Sequence, residues 1–246
     1  MQNNASYREY SVSGTTSFSF SPVGNTVRML AAIWAWTGAT VNRLEPDPGN
    51  DGFWFMGYKV TNPSAGVWHY EYALYNMNLD RALQSFTVPL SPEANLTNIE
   101  FHAPPQEPGW ANDGTFNNQG YSSTPWSNDY QSGNSSITWN CETFAQNQNA
   151  NAIRWGTLYN FRFDANVAPQ SINATVGFFK MGSPMTVAIQ APFVGETPTP
   201  TATATATASA TTTVSPSTTP SATPRLTPTP RFEPTARPRP TPPPRP

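Results

Sequence analysis

Apolar and polar positions alternate with a period of two along most of the chain, the spacing that turns one face of a strand to a core and the other to solvent. Residues 16–21 read TSFSFS and put Phe18 and Phe20 on one face of a half-buried strand. The run 25–36 carries Val27, Met29, Leu30, Ile33, Trp34 and Trp36 with small residues between them, which suits a short helix or a buried strand, and the favoured reading is a short helix or a turn-rich crossover. A turn over 45–52, rich in Pro, Gly, Asn and Asp, precedes two longer strands at 53–61 and 67–77. The linker Asn62-Pro63-Ser64-Ala65-Gly66 makes these two an antiparallel pair. In the second, Trp68, Tyr70, Tyr72 and Leu74 share a face that predicts core, and His69, Glu71, Ala73 and Tyr75 share the other. Further strand signals fall at 84–90, 96–102, 136–140, 157–165, 172–180 and 185–191.

Short strands broken by turn residues, with no amphipathic helical pattern of ordinary length, predict an all-β sandwich or barrel. The segment Ile153-Arg154-Trp155-Gly156-Thr157-Leu158-Tyr159-Asn160-Phe161-Arg162-Phe163 sharpens that expectation. It resembles the entry to the F strand of immunoglobulin-like and fibronectin-III-like sandwiches, where a Gly-Thr turn and a Tyr lead into an alternating strand. The resemblance implies an antiparallel β-sandwich in which the Tyr159 hydroxyl bonds back to preceding backbone, and in which Phe161 and Phe163 continue its face into the core.

Composition divides the chain. Residues 1–195 hold all 8 Trp, all 9 Tyr and 13 of the 14 Phe, whereas 196–246 hold 14 of the 27 Pro. The first segment is long enough to bury a core without disulfide or metal support. The second, made mostly of Pro, Thr, Ser and Ala, cannot offset the entropy of ordering its backbone and is expected to be a disordered, low-complexity tail. Ser and Thr with Pro are also the composition of O-glycosylated stalks. Within the first segment, residues 103–135 carry Pro104, Pro105, Pro108, Gly109, Gly114, Gly120, Pro125 and Gly133, and predict one long loop.

The formal charge of −2, with two Lys in all, argues against a nucleic-acid partner. No apolar run reaches the roughly 18 residues of a membrane span, and Met1 to Tyr10 lacks the cationic and apolar regions of a signal peptide. Cys141 is the single Cys, so neither a disulfide framework nor a cysteine zinc site is expected.

Catalytic chemistry finds little support. His69 and His102 sit on predicted strands without a G-x-S-x-G turn, and both are expected to be structural. Cys141 reads as an inert, half-buried thiol. Glu71 is the one acid centred in a strong strand and could serve glycoside hydrolysis, but Arg81 just beyond it is an equally suitable ion-pair partner. Asp47, Asn50 and Asp51 offer oxygen ligands of the kind calcium takes, without EF-hand spacing, and a solvated turn is the favoured reading. No cofactor is implied. The aromatic, Asn-rich loop offers a ligand-binding site instead: Trp110, Tyr121 and Trp126, with Asn112, Asp113 and Asn128 beside them, have the platforms and hydrogen-bonding groups that hold a carbohydrate. The alternative is that these aromatics pin the loop onto the sandwich.

Several stretches together carry a wider resemblance: Trp68 to Asn76, Asp80-Arg81 with Ser85 to Leu90, Glu142 to Asn147 with Asn149 to Asp164, and Gly182 to Val187. They resemble the C-terminal part of a family of uncharacterised exported bacterial proteins. The resemblance implies an extracellular or cell-surface context, an additional upstream domain, and a truncated or mis-started chain, since the Asn3 to Tyr7 stretch stands at its start. It implies no catalytic residue. The expectation is a non-enzymatic β-sandwich module for adhesion, display or spacing. The alternatives are a carbohydrate-binding module using loop 103–135, and the C-terminal part of an exported enzyme with its active site upstream; the partner expected is carbohydrate or cell-wall material.

Overall fold

Twelve strands account for the fold in the computed structural model, which describes residues 5–195. In chain order they are β1 (Ser6–Ser13), β2 (Ser19–Arg28), β3 (Thr40–Leu44), β4 (Trp54–Ser64), β5 (Val67–Asn76), β6 (Leu83–Pro89), β7 (Leu96–His102), β8 (Ser127–Asn128), β9 (Ser136–Asn140), β10 (Leu158–Ala165), β11 (Pro169–Phe178) and β12 (Met185–Pro192). Two antiparallel sheets of five strands, ordered β3-β4-β5-β10-β7 and β12-β11-β6-β9-β8, pack face to face as a β-sandwich. The strands β1 and β2 form a separate ribbon. The tail expected over 196–246 lies outside the described residues.

The sheets meet where alternation puts large side chains inward. Tyr70, Tyr72 and Leu74 of β5 are fully buried, as are Tyr159, Phe161 and Phe163 of β10; they pack against Phe86 and Val88 of β6, Trp139 of β9 and Val176 of β11. Phe161 stands at the centre, with ring centroids 5.2 to 5.5 Å from Phe86, Phe101, Trp126 and Trp139. Buried hydroxyls find carbonyls: Tyr70 donates to Val167 and Tyr72 to Gln190, each at 2.8 Å, and the second bond ties β5 to β12 of the other sheet. The tyrosine corner is present. The Tyr159 hydroxyl donates to Asn151 Oδ1, lies 3.3 Å from the Ala152 carbonyl and accepts from Gln106 Nε2 at 3.2 Å. Burial pushes its pKa up to about 12.

Two expectations at the N-terminus are corrected. The TSFSFS stretch is not half-buried: β2 begins at Ser19 and all of it is exposed, with Phe18 at 59% and Phe20 at 65%. Its partner β1 is exposed as well, apart from half-buried Tyr7. The pairing Val12↔Phe20 and Tyr10↔Pro22 collects apolar groups on one face of the ribbon, and Ser11↔Ser21 with Ser13↔Ser19 fills the other, so alternation is satisfied without burial. The run 25–36 divides, ending β2 and then forming one 3-10 turn at Ala32–Ala35. Ile33 of that turn is buried with Phe53, Phe55, Ala73 and Met77 on the outer face of the first sheet.

Candidate functional site

One end of the sandwich gathers the long connections: 45–53, 77–82, 103–126, 141–157 and 179–184. The opposite end carries short ones at 65–66, 90–95, 129–135 and 166–168. Among the described residues, beyond the N-terminal ribbon, Met29 just after it and the 3-10 turn, the exposed large apolar side chains are Trp110, Phe116, Phe144, Trp155, Leu158, Met181 and Val194. All except Val194 lie at the long-loop end.

Buried amides hold this end together. Asn76 closes β5; its Nδ2 donates to the carbonyls of Leu79 and Ile153 at 2.9 Å, and its Oδ1 accepts from Leu79 N at 2.7 Å. It thereby fastens the 77–82 loop to the turn before β10. In that turn Gly156 N donates to Asn76 O at 2.8 Å, and Gly156 takes φ +72°, a conformation that suits glycine. Asn149 brackets Phe116, accepting from its N–H at 2.9 Å and donating to its carbonyl at 2.8 Å. Asn151 Nδ2 donates to Thr124 O at 2.8 Å. Polar residues supply the missing ladder partners of irregular backbone, and so loop 103–135 is ordered, with a 3-10 turn at Phe116–Asn118 and the short strand β8.

The residues predicted to bind a ligand separate. Trp126 is no platform: it is 4% exposed, stacks on Phe101 at 5.9 Å and donates its indole N–H to Asn151 O, which pins the loop to the core. Tyr121 is half-buried, with the Arg154 guanidinium 3.7 Å from its ring centroid. Trp110 is exposed at 60%. The side chains of Asp113 and Asn128 serve the loop itself, and Asn112 enters through its backbone N–H. Asp113 accepts from Trp110 N, Thr115 N and Thr115 Oγ1, and the Thr115 hydroxyl holds its carboxyl below the usual carboxylate range. Asn112 N donates to Asn118 Oδ1, and Asn128 Oδ1 accepts from Tyr130 N.

The turn read as a calcium candidate is a brace. Asp51 Oδ2 accepts from Arg81 Nε at 2.7 Å, while its Oδ1 accepts from Gly52 N at 2.7 Å and Asp80 N at 2.8 Å. Burial alone would raise the Asp51 carboxyl, but these two N–H groups and the guanidinium outweigh it and hold the group below its ordinary value. Asp47 Oδ2 lies 3.4 Å from Arg81, and its Oδ1 accepts from Asn50 Nδ2. The three oxygen-bearing side chains are thus committed to Arg81 and to one another. Gly52 is required because a Cβ there would stand 2.0 Å from the Asn78 carbonyl.

Arg81 therefore does not pair with Glu71, whose carboxylate accepts from Asn160 Nδ2 at 3.0 Å on the outer face of the first sheet. On the same face, His69 Nδ1 lies 2.6 Å from Asp164 Oδ1. A hydrogen bond from Asn98, with help from His69, holds the Asp164 carboxyl below its usual range. His102 ends β7, exposed. Burial pushes the Cys141 thiol up to about 12, which keeps it protonated at neutral pH.

Sequence reasoning missed the members that shape this end: Asn76, whose amide organises it, and Trp155, Asp80 and Lys180, which rim a cavity of about 340 Å³ together with Tyr121 and Arg154. Trp155 stood in the turn before Tyr159, where the sandwich signal absorbed its meaning. Comparisons with protein-family models, curated proteins and solved structures give no match for this chain.

Proposed function

We propose that this chain is a non-enzymatic β-sandwich module of an extracellular or cell-surface protein, and that it engages its partner through the long-loop end. The observation that carries the reading is the asymmetry of the two ends. Exposed aromatic side chains cost solvation free energy and concentrate where a partner covers them; here they stand on loops that buried amides hold rigid. The Cys141 thiol, held protonated by its burial, supports a scaffold role for the interior. The Pro/Thr-rich composition of 196–246 suits a stalk, and the resemblance to exported bacterial proteins supports the location.

The test uses the full chain immobilised on beads and measures adhesion to insoluble bacterial wall material. A Trp110→Ser, Trp155→Ser double variant is expected to lose most of the adhesion, whereas Val194→Ser at the other end keeps it. Equal adhesion by both variants, or none by the parent chain, overturns the reading.

A further inference from the structure

The geometry points to a cleft for an uncharged carbohydrate chain at the long-loop end, running from Trp155 over the Asp80–Lys180 pair to Phe144. The inference rests on the reading of that end as the binding end and gives it a ligand class and a place.

Two cavities meet at one ion pair. The first, about 340 Å³, has Trp155, Tyr121 and Arg154 on its walls; the second, about 590 Å³, has Phe144, Met181 and Arg81; Asp80 and Lys180 line both. Their volumes fall within the range of roughly 300–1,000 Å³ typical of ligand sites. An aromatic group therefore stands on each side of a polar ridge. A single sugar ring would reach one side, and a chain reaches both.

The groups are rigidly based and open at their tips. Trp155 is 63% exposed on a turn closed by Thr157 Oγ1, which donates to Arg154 O at 2.7 Å, and by the Gly156–Asn76 bond. Phe144, 39% exposed, rests edge-on against Phe179 at 5.4 Å. The backbone of Asp80 is held by Asp51, and Lys180 N donates to Arg81 O at 2.9 Å. Their side chains are 69% and 39% exposed, and Lys180 Nζ lies 2.9 and 3.0 Å from the two Asp80 oxygens. A pair this exposed contributes little to stability, so its placement is free to serve recognition.

The chemistry selects the ligand. A sugar presents apolar C–H faces, which an exposed indole or phenyl ring covers, and vicinal hydroxyls, each needing both a donor and an acceptor. Asp80 accepts and Lys180 donates, and their charges balance. The other cation at the first cavity is turned inward: Arg154 Nη2 donates to the carbonyls of Gln148 and Ala150, and its guanidinium lies 3.7 Å from the Tyr121 ring centroid and 5.0 Å from that of Phe179. The exposed charges at the ridge balance, and the unpartnered Arg154 Nε is buried away from the surface, which favours an uncharged chain over an acidic one.

Titration calorimetry of the full chain against soluble cello-, xylo-, manno- and malto-oligosaccharides, from monosaccharide to hexasaccharide, tests this. At least one series is expected to bind, with affinity rising with length until both cavities are spanned. Trp155→Ala lowers that affinity by roughly tenfold or more, and Asp80→Asn weakens it without changing the melting temperature. Phe144→Ala weakens the long members and leaves the shortest unchanged. Binding that survives Trp155→Ala but is lost on Trp110→Ala overturns the cleft and leaves the binding end in place. No binding by any series overturns the carbohydrate assignment, and wall adhesion in the bead assay then decides separately whether the binding end stands.

Discussion

The hairpin β4–β5 and the ribbon β1–β2 follow the same rule of alternation and end in opposite environments. In β4–β5, Trp54 and Met56 pair across to Asn76 and Leu74, Tyr58 and Val60 to Tyr72 and Tyr70, and the second sheet covers that face. In β1–β2, Val12 pairs with Phe20 and Tyr10 with Pro22, and the face they make is open. The difference lies in neighbours. The strand β5 has β4 on one edge and β10 on the other, which makes a sheet broad enough to carry a second layer, whereas the ribbon has two strands and no layer. An isolated two-stranded ribbon is marginal in water. Alternation thus specifies which side chains share a face, and burial follows only when the topology provides something to lay against it.

The largest expected effect comes from the middle of the covered face. Phe161→Ala removes a ring that touches four aromatic neighbours from both sheets and loop 103–135, and is expected to cost about 3–5 kcal/mol in urea unfolding, a large share of a typical domain's stability. A cost under about 1 kcal/mol would mean that the two sheets do not share a close-packed core.

The long-loop end lies between the extremes, because polar contacts hold it. Asp51→Asn weakens its bonds to Arg81 and Asp80 and is expected to cost about 1–3 kcal/mol at neutral pH. Asp51 and Asp164 have folded pKa values below their unfolded ones, so each adds stability that is fully present above the unfolded value near 4 and is lost as pH falls through the folded value. The melting temperature should therefore decline as pH drops below about 4, and less steeply in Asp51→Asn. Equal slopes in parent and variant would remove Asp51 from this role.

The smallest effect belongs to the open ribbon. A Phe18→Ser, Phe20→Ser double variant is expected to change unfolding free energy by less than about 0.5 kcal/mol, the usual outcome for surface changes. A loss approaching that of Phe161→Ala would break the comparison, since it would mean that the face is covered in solution.

Most of the sandwich was legible in the chain because its signals are local. The alternation of β5 and β10 identified the buried faces, and the Gly-Thr-x-Tyr order before β10 anticipated the corner at Tyr159. The strands β1, β3 and β8 escaped, since short or wholly exposed strands carry a weak alternating signal. The site was less legible. Trp110 and Trp126 look alike in sequence, both aromatic residues in a Pro/Gly-rich loop, yet one is 60% exposed and the other 4%. What separates them is Asn151, 25 residues further on, whose carbonyl receives the Trp126 indole.

By itself the sequence determined the all-β class, the core-facing residues of the long strands and the division between a foldable segment and a Pro/Thr-rich one, because these depend on periodicity and composition. The order of strands in the two sheets, the brace of Asp51 on Arg81 and the meeting of Asp80 with Lys180 across 100 positions were decided only in the tertiary structure. Such contacts are a property of how loops from distant strands converge at one end of a sandwich. Nothing in the local chemistry of an Asp or an Asn names its partner until packing has brought the two within hydrogen-bond reach.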